Sequence, residues 1–421
     1  MILYDPSINV NYRDYGIMLP IPPDRGRRVL DFLGSAYNVI DIASAKVKLG
    51  PEEQVFKRGD LERIHSKDYI ADLYGDGLKA ALLKAFELID AQGKPCRYEP
   101  DRAIKPLSDM FGSLIAQTEG TYLACLLAQE TSLQDARDTS LQDVSPHSGF
   151  CFYLGGGMHH ARYDTGSGFC LINDVAAAAF KVLARETSLQ DMRKTSLQDA
   201  RKISLKKTEM PNSYSDSGFL IWIIDLDAHK GDGTAELVSF ARERGELQIP
   251  YAENFAAKSN KNEQIVSPNS KPSVLTLSIH MAKGWPLDEE SVLSAEKGRA
   301  PLLPSDVDIG IDSGDEADYT IRLKEGIRKL ESMSRKAPDL ALVVDGADPY
   351  EHDALDSSSL LRLTLEQCIE RDVYVYRYLK DRHIPSAWIQ AGGYGDRAWE
   401  PPAYFLRRIS ENNFFNSNPQ R

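Results

Sequence analysis

Residues 219–233 read Phe-Leu-Ile-Trp-Ile-Ile-Asp-Leu-Asp-Ala-His-Lys-Gly-Asp-Gly. The first six, Phe219–Ile224, are all apolar and rich in β-branched and aromatic side chains. A short run without polar alternation reads as a strand covered on both faces. Directly after it the chain turns acidic and supplies a histidine and two glycines. Similar apolar runs recur at Phe150–Leu154, Val274–Ile279, Leu340–Val344 and Ala387–Ile389. Helical patterns separate several of them, notably Tyr319–Arg335 and Leu365–Lys380. This alternation predicts one α/β domain on a doubly wound, mainly parallel sheet with helices on both faces.

Open α/β sheets carry their chemistry outside the carboxyl ends of the strands. The residues just past each run therefore decide the function. Asp225, Asp227 and His229 alternate, so an extended chain would project them to one side. After Leu340–Val344 comes Asp345-Gly346-Ala347-Asp348-Pro349, with Asp353 five residues beyond Asp348. After Ala387–Ile389 comes Gln390-Ala391-Gly392-Gly393-Tyr394-Gly395. After Phe150–Leu154 comes Gly155-Gly156-Gly157-Met158-His159-His160. The chain has only eight histidines, and imidazole is the side chain best suited to moving protons near neutral pH.

Two carboxylates and one imidazole leave an open position on a tetrahedral Zn²⁺. Such a metal polarises a carbonyl and lowers the pKa of a bound water. The histidine pair can remove the water proton and protonate a leaving amine, and a tyrosine hydroxyl can stabilise the oxyanion. Singly, each element has a plainer reading. Asp348 could cap a helix, and Gly-Gly-Tyr could be a turn. Together, at the ends of separate runs, they describe an amide hydrolase.

The rest of the chain narrows the class. At 421 residues, with 42% apolar and 27% charged residues, it has the composition of a soluble globular protein. No apolar run is long enough to span a bilayer, and Met1–Pro6 lacks the features of a signal peptide. Five scattered cysteines without a Cys-x-x-Cys pair suggest reduced thiols in the cytoplasm. A formal net charge of −12 argues against a broad basic face for nucleic acid. Solubility accounts for the acidity more simply than attraction of cationic substrates does.

Two segments look foreign. Thr131–Asp138 reads TSLQDARD and Thr139–Val144 TSLQDV. Thr187–Lys194 reads TSLQDMRK and Thr195–Lys202 TSLQDARK, with a degraded copy from Ile203. With one leucine per octad they cannot build a core. We read residues 1–421 as a single domain interrupted at about 131–147 and 186–216 by flexible or marginally helical insertions. Both lie in helix-to-strand connections, which places them at the sheet edge away from the site.

The blocks Gly155–His160, Gly168-Phe169-Cys170 through Asn173-Asp174, Asp225–Gly233, Ser278-Ile279-His280, Gly346–Asp353 and Gly392–Tyr394 carry a resemblance, as does Ile64–Tyr69. On them the chain resembles the histone deacetylase family, of the arginase-like α/β fold. The resemblance covers nearly the whole chain outside the octads. It leans toward the class IV branch, because Asp227-Ala228-His229 has one histidine where class I members usually carry two, and because Gly393-Tyr394 is followed by Gly395-Asp396-Arg397.

The resemblance implies Asp227, His229 and Asp348 as Zn²⁺ ligands, although such ligands also tolerate Fe²⁺ or Co²⁺. It implies His160 as general base with His159 as its partner, oriented by Asp232 and Asp225 respectively. Tyr394 would bind the scissile carbonyl, and Phe169 with Gly168 would form one wall of an acyl-lysine channel. A structural K⁺ would use Asp225, Asp227, His229, Ser278 and Ile279. The implied substrate is an acylated lysine of a protein, the alternative a small acylated amine such as a polyamine. A dinuclear ureohydrolase fits less well, since Asp227-Ala228-His229 is followed by Lys230-Gly231. An inactive binding module is disfavoured, because every expected catalytic position is filled. The His-Pro pattern common near the family's N-terminus is absent; Tyr12–Arg25 instead reads YRDYGIMLPIPPDR, and Lys230 has no assigned role. Neither acyl length nor oligomeric state follows from the sequence.

Overall fold

The computed structural model describes residues 1–49, 56–90, 92–137, 148–203, 218–248, 272–288 and 302–416. Eight strands form one sheet: β1 (Ile2–Leu3), β2 (Val39–Ile40), β3 (Phe150–Tyr153), β4 (Leu220–Asp225), β5 (Ser273–Met281), β6 (Val307–Ile311), β7 (Leu340–Asp345) and β8 (Ser386–Gln390). Their order is β2-β1-β3-β8-β7-β4-β5-β6, and every pairing is parallel. The five runs expected as strands all form strands, with ends shifted by one or two residues. Strands β1, β2 and β6 were not anticipated. Two are only two residues long, and β6 is half exposed, so none has the apolar signature of a covered strand.

Period-two alternation sorts the strand side chains between two cores. Ile221, Ile223, Leu340, Leu342 and Val344 point into one, together with Leu237 and Val238 of helix Asp232–Glu243 and the buried faces of helices Met110–Arg137 and Asp174–Ile203. Trp222, Ile224, Ala341, Val343 and Trp388 point into the other. Helices Arg25–Leu33, Tyr319–Met333, Leu365–Asp381 and Glu400–Asn416 cover that side. Each fully buried large apolar side chain contributes roughly 1.5–3 kcal/mol. The central strands thus carry apolar residues at every position because both faces are covered, the doubly wound arrangement expected from the sequence.

The octads extend preceding helices. Residues 131–137 continue helix Met110–Arg137, and residues 187–203 continue helix Asp174–Ile203. Residues 138–147 and 204–217 lie outside the described part. Thr131 ties the end of the first helix to the start of β3: its hydroxyl accepts from Gly149 N at 3.2 Å, and its carbonyl accepts from Ser148 Oγ at 3.1 Å. No helix among the described residues is long and apolar enough to cross a membrane.

Candidate active site

The strand order brings the carboxyl ends of β3, β8, β7 and β4 side by side. These four ends lead into the four segments singled out in the sequence. Asp227, His229 and Asp348 place one ligand atom each within 4.8 Å of the others, as do His159, His160 and Asp227. All five are buried.

The way Asp225, Asp227 and His229 converge differs from the alternation expected of an extended chain. Strand β4 ends at Asp225. Beyond it the side chains turn the backbone: Asp225 Oδ1 accepts from Asp227 N at 3.1 Å, and Asp227 Oδ1 from His229 N at 3.0 Å. Short carboxylates bonding two residues on are turn-formers. Asp348 crosses from the β7 end to accept from Ala228 N at 2.9 Å, and Gly392 N from the β8 end donates to Asp227 Oδ2 at 3.0 Å.

His229 Nδ1 lies 2.9 Å from Asp348 Oδ2 and 3.2 Å from Asp227 Oδ1, while its Nε2 faces Ser357 Oγ at 3.1 Å. Burial alone would lower the pKa of His229, but bonding to Asp227 and Asp348 overrides it and pushes the group up to about 10. Among the described residues no lysine or arginine bonds to either carboxylate. Two buried carboxylates and an imidazole converging without a lysine or arginine suit a divalent metal, with His229 Nδ1 as the nitrogen donor.

Asp225 Oδ2 sits 2.6 Å from His159 Nδ1, and Asp232 Oδ1 2.8 Å from His160 Nδ1. The rings of the two histidines are 3.9 Å apart, centroid to centroid. Their electrostatics diverge. For His159, burial is overcome by Asp225 and Asp227, and its pKa rises to about 9. For His160, burial and the neighbouring His159 win, and its pKa falls to about 4. One imidazole is thus poised as an acid and the other as a base. The loop bearing them is anchored by Asp174, which accepts from Gly157 N at 3.0 Å and Met158 N at 2.6 Å. Asn173 Nδ2 supports it further, donating to His159 O at 3.0 Å and Ala161 O at 3.2 Å.

A cleft is lined by His159, His160, Gly168, Phe169, Asp227, His229 and Tyr394, among others. Tyr394 N donates to Asp353 Oδ2 at 2.7 Å, which orients the residue through its backbone. Phe169 meets the Tyr394 ring edge-on, centroids 6.1 Å apart. Ser278 stands opposite Asp225 in the β4–β5 register, with Ile279 next on the strand. The expected site residues are therefore gathered at one sheet edge.

The roles of three residues escaped the sequence reading. Trp285 stands edge-on to His160, ring centroids 4.6 Å apart, and 5.7 Å from His229. Its signal was an aromatic just past the carboxyl end of β5. Arg25 donates from NH1 to Ala391 O at 2.9 Å and Gly393 O at 3.0 Å, bracing the tyrosine loop from a segment 366 residues away. Nothing local marked it. Lys230 pairs with Asp308, which also bonds His280 Nε2 at 2.9 Å, so it ties the β4 loop to β5 and β6.

Known proteins resemble this chain in sequence and fold. The family model described as "Histone deacetylase domain" matches residues 19–192 and 214–402. The chain is 21% identical over 421 residues to Histone deacetylase 2 of Arabidopsis thaliana, covering 100% of this chain and 81% of that protein. It is 27% identical over 248 residues to the acetoin utilization protein AcuC of Staphylococcus aureus (strain COL), covering 59% of this chain and 46% of that one. Among solved structures, the acetylpolyamine aminohydrolase from Burkholderia pseudomallei shares the fold, with a TM-score of 0.51 at 15% identity over 99% of this chain and 97% of that chain. This chain belongs to the histone deacetylase domain family, whose members are hydrolases acting on amides.

Proposed function

We propose that the protein is a metal-dependent deacylase that hydrolyses the amide of acylated lysine side chains. One observation carries this reading: the Asp227–His229–Asp348 group lies in the same cleft as a histidine pair whose members have separate carboxylate partners. When bound, a Zn²⁺ ion (or Fe²⁺ or Co²⁺) held by those three side chains supplies a Lewis acid for the acyl carbonyl and for water. The chain's own groups do the rest. Asp232 fixes His160 with Nδ1 protonated, which leaves Nε2 as an acceptor for the proton of the attacking water. His159, held charged by Asp225, stabilises developing negative charge and donates toward the leaving amine. The Tyr394 hydroxyl supplies a hydrogen bond to the carbonyl oxygen. Phe169 and Gly168 line the passage for the acyl-lysine stem.

A structural K⁺ held by Asp225, Asp227, His229, Ser278 and Ile279 is supported by the register that sets Ser278 beside Asp225. The five cysteines are unpaired, which supports a reducing, cytoplasmic setting.

The test combines metal analysis with turnover of an acetyl-lysine peptide. The wild type should bind about one divalent ion per chain and hydrolyse the peptide. Asp348→Ala should lose the ion. His160→Ala and Tyr394→Phe should keep the fold and lose roughly 10²–10⁴ in kcat. Near-wild-type hydrolysis by both variants would overturn the reading.

A further inference from the structure

Phe169 lines the cleft and also carries a cation against its ring. The Arg97 guanidinium lies 5.6 Å from its ring centroid. The Arg97 side chain is 41% exposed, and its NH1 donates to Glu87 Oε2 at 2.6 Å. The backbone adds a second observation. Among the described residues four non-glycine residues have positive φ, and three are members of this chain of contacts: Glu87 (53°), Arg97 (52°) and Phe169 (63°). The left-handed region is unfavourable for a non-glycine residue, and such strain gathers at ligand clamps. Surrounding bonds hold the arm in place. Met18 N donates to Arg97 O at 2.8 Å, Cys96 N to Leu88 O at 2.8 Å, and Phe169 N to Ala85 O at 2.9 Å. Arg97 is thus a cation held fixed at the aromatic wall. Glu87 engages NH1 of a side chain that is 41% exposed, and no hydrogen bond from Nε or NH2 is found among the described residues.

We infer that Arg97 is a specificity residue that selects acyl-lysines flanked by an anionic group, an Asp or Glu side chain or a carboxylate, over acylated polyamines. This rests on the deacylase reading above. A guanidinium edge matches a carboxylate in a two-bond geometry. A polyamine's remaining amines are cations and meet like charge at the same place. The net charge of −12 pulls the other way, but charges beyond about 8 Å are largely screened at physiological ionic strength. The charges within that range, Arg97 and its partner Glu87, therefore matter most. An exposed pair of this kind is worth a few tenths to 1 kcal/mol, about a two- to fivefold preference.

The experiment compares kcat/KM for three substrates: an acetyl-lysine peptide with flanking Asp, the same peptide with flanking Lys, and a mono-acetylated triamine. The wild type should favour the acidic peptide, and the preference should shrink at high salt. Arg97→Gly, which also relieves the left-handed backbone, should abolish the preference, and Arg97→Glu should reverse it. Both should leave kcat on a neutral acetyl-lysine probe within about twofold, since Arg97 touches no reacting atom. Glu87→Gln should strengthen the preference. An unchanged ranking in both Arg97 variants, or a wild type that favours the triamine, would overturn the assignment. A wild type inactive on the neutral probe would instead overturn the deacylase reading, and this one with it.

Discussion

Arg371 Nε donates to Oδ1 of its chain neighbour Asp372 at 2.6 Å, and both side chains are fully buried. The same guanidinium reaches two strand ends of the site. NH1 donates to Leu226 O at 2.9 Å, and NH2 donates to Asp345 Oδ1 at 2.8 Å and to Gly346 O at 3.0 Å. Leu226 precedes Asp227, and Gly346 lies two residues before Asp348. One side chain thus spaces the two segments that carry the carboxylate ligands. Arg371→Met should cost about 3–5 kcal/mol in urea unfolding, because it leaves buried carboxyls without their cation.

The partner carboxyls give this cluster a second, opposite prediction. Asp345 and Asp372 interact, and Oδ2 of each finds no donor among the described residues. Burial, the largest cause, raises the pKa of both. A carboxyl raised in the folded state binds more protons there than when unfolded, so this pair lowers stability as pH rises above the ordinary carboxylate range. Asp345→Asn supplies a donor without a charge. It should cost no more than about 1 kcal/mol and flatten stability over neutral pH; a loss as large as that of Arg371→Met would show that Asp345 is needed as a charged partner.

His65 should make the fold acid-sensitive. Its Nε2 accepts from Asn173 N at 3.2 Å, and its Nδ1 bonds Arg162 O at 2.7 Å, which needs the neutral ring. Burial lowers its pKa from 6.5 to about 4. The unfolded state therefore binds more protons between those values. Stability is intact above pH 6.5 and falls as pH drops toward 4, by up to about 3 kcal/mol. Thermal unfolding of wild type and His65→Gln across pH 4–8 checks this; the variant should show a shallower acid loss.

Gly168 is required by shape as well as by backbone. It has φ 53°, and a Cβ there would sit 2.7 Å from the His160 ring and run into Trp285. Gly93 has φ 78° but nothing within 4 Å. Gly168→Ala should cut kcat at least tenfold, since about 1.4 kcal/mol of lost positioning is a factor of ten. Gly93→Ala carries the strain alone and should leave kcat unchanged. Equal effects would trace the requirement to backbone strain and not to His160.

The first octad should divide in two. The Thr131 hydroxyl accepts from Gly149 N just before β3, so Thr131→Ala, which removes that acceptor, should cost about 1 kcal/mol. Deleting residues 139–144 should leave metal content and kcat unchanged, because the connection enters β3 at the edge opposite the cleft. A folded deletion variant with a large loss of turnover would contradict that placement.

The sequence by itself determined the doubly wound α/β class and the segments that carry chemistry. Both signals are local: uniformly apolar runs mark strands covered on two faces, and the Asp, His and Tyr residues come within a few positions of those runs. Short β1 and β2 and half-exposed β6 lacked that signature. Which segments meet was decided only by tertiary structure. The order β3-β8-β7-β4 juxtaposes ends far apart in the chain, so His159 finds Asp225 and Asp348 finds His229. The same holds for Arg25, Arg97, Trp285 and Arg371. Each acts on groups distant in sequence, and long-range packing alone sets those neighbours.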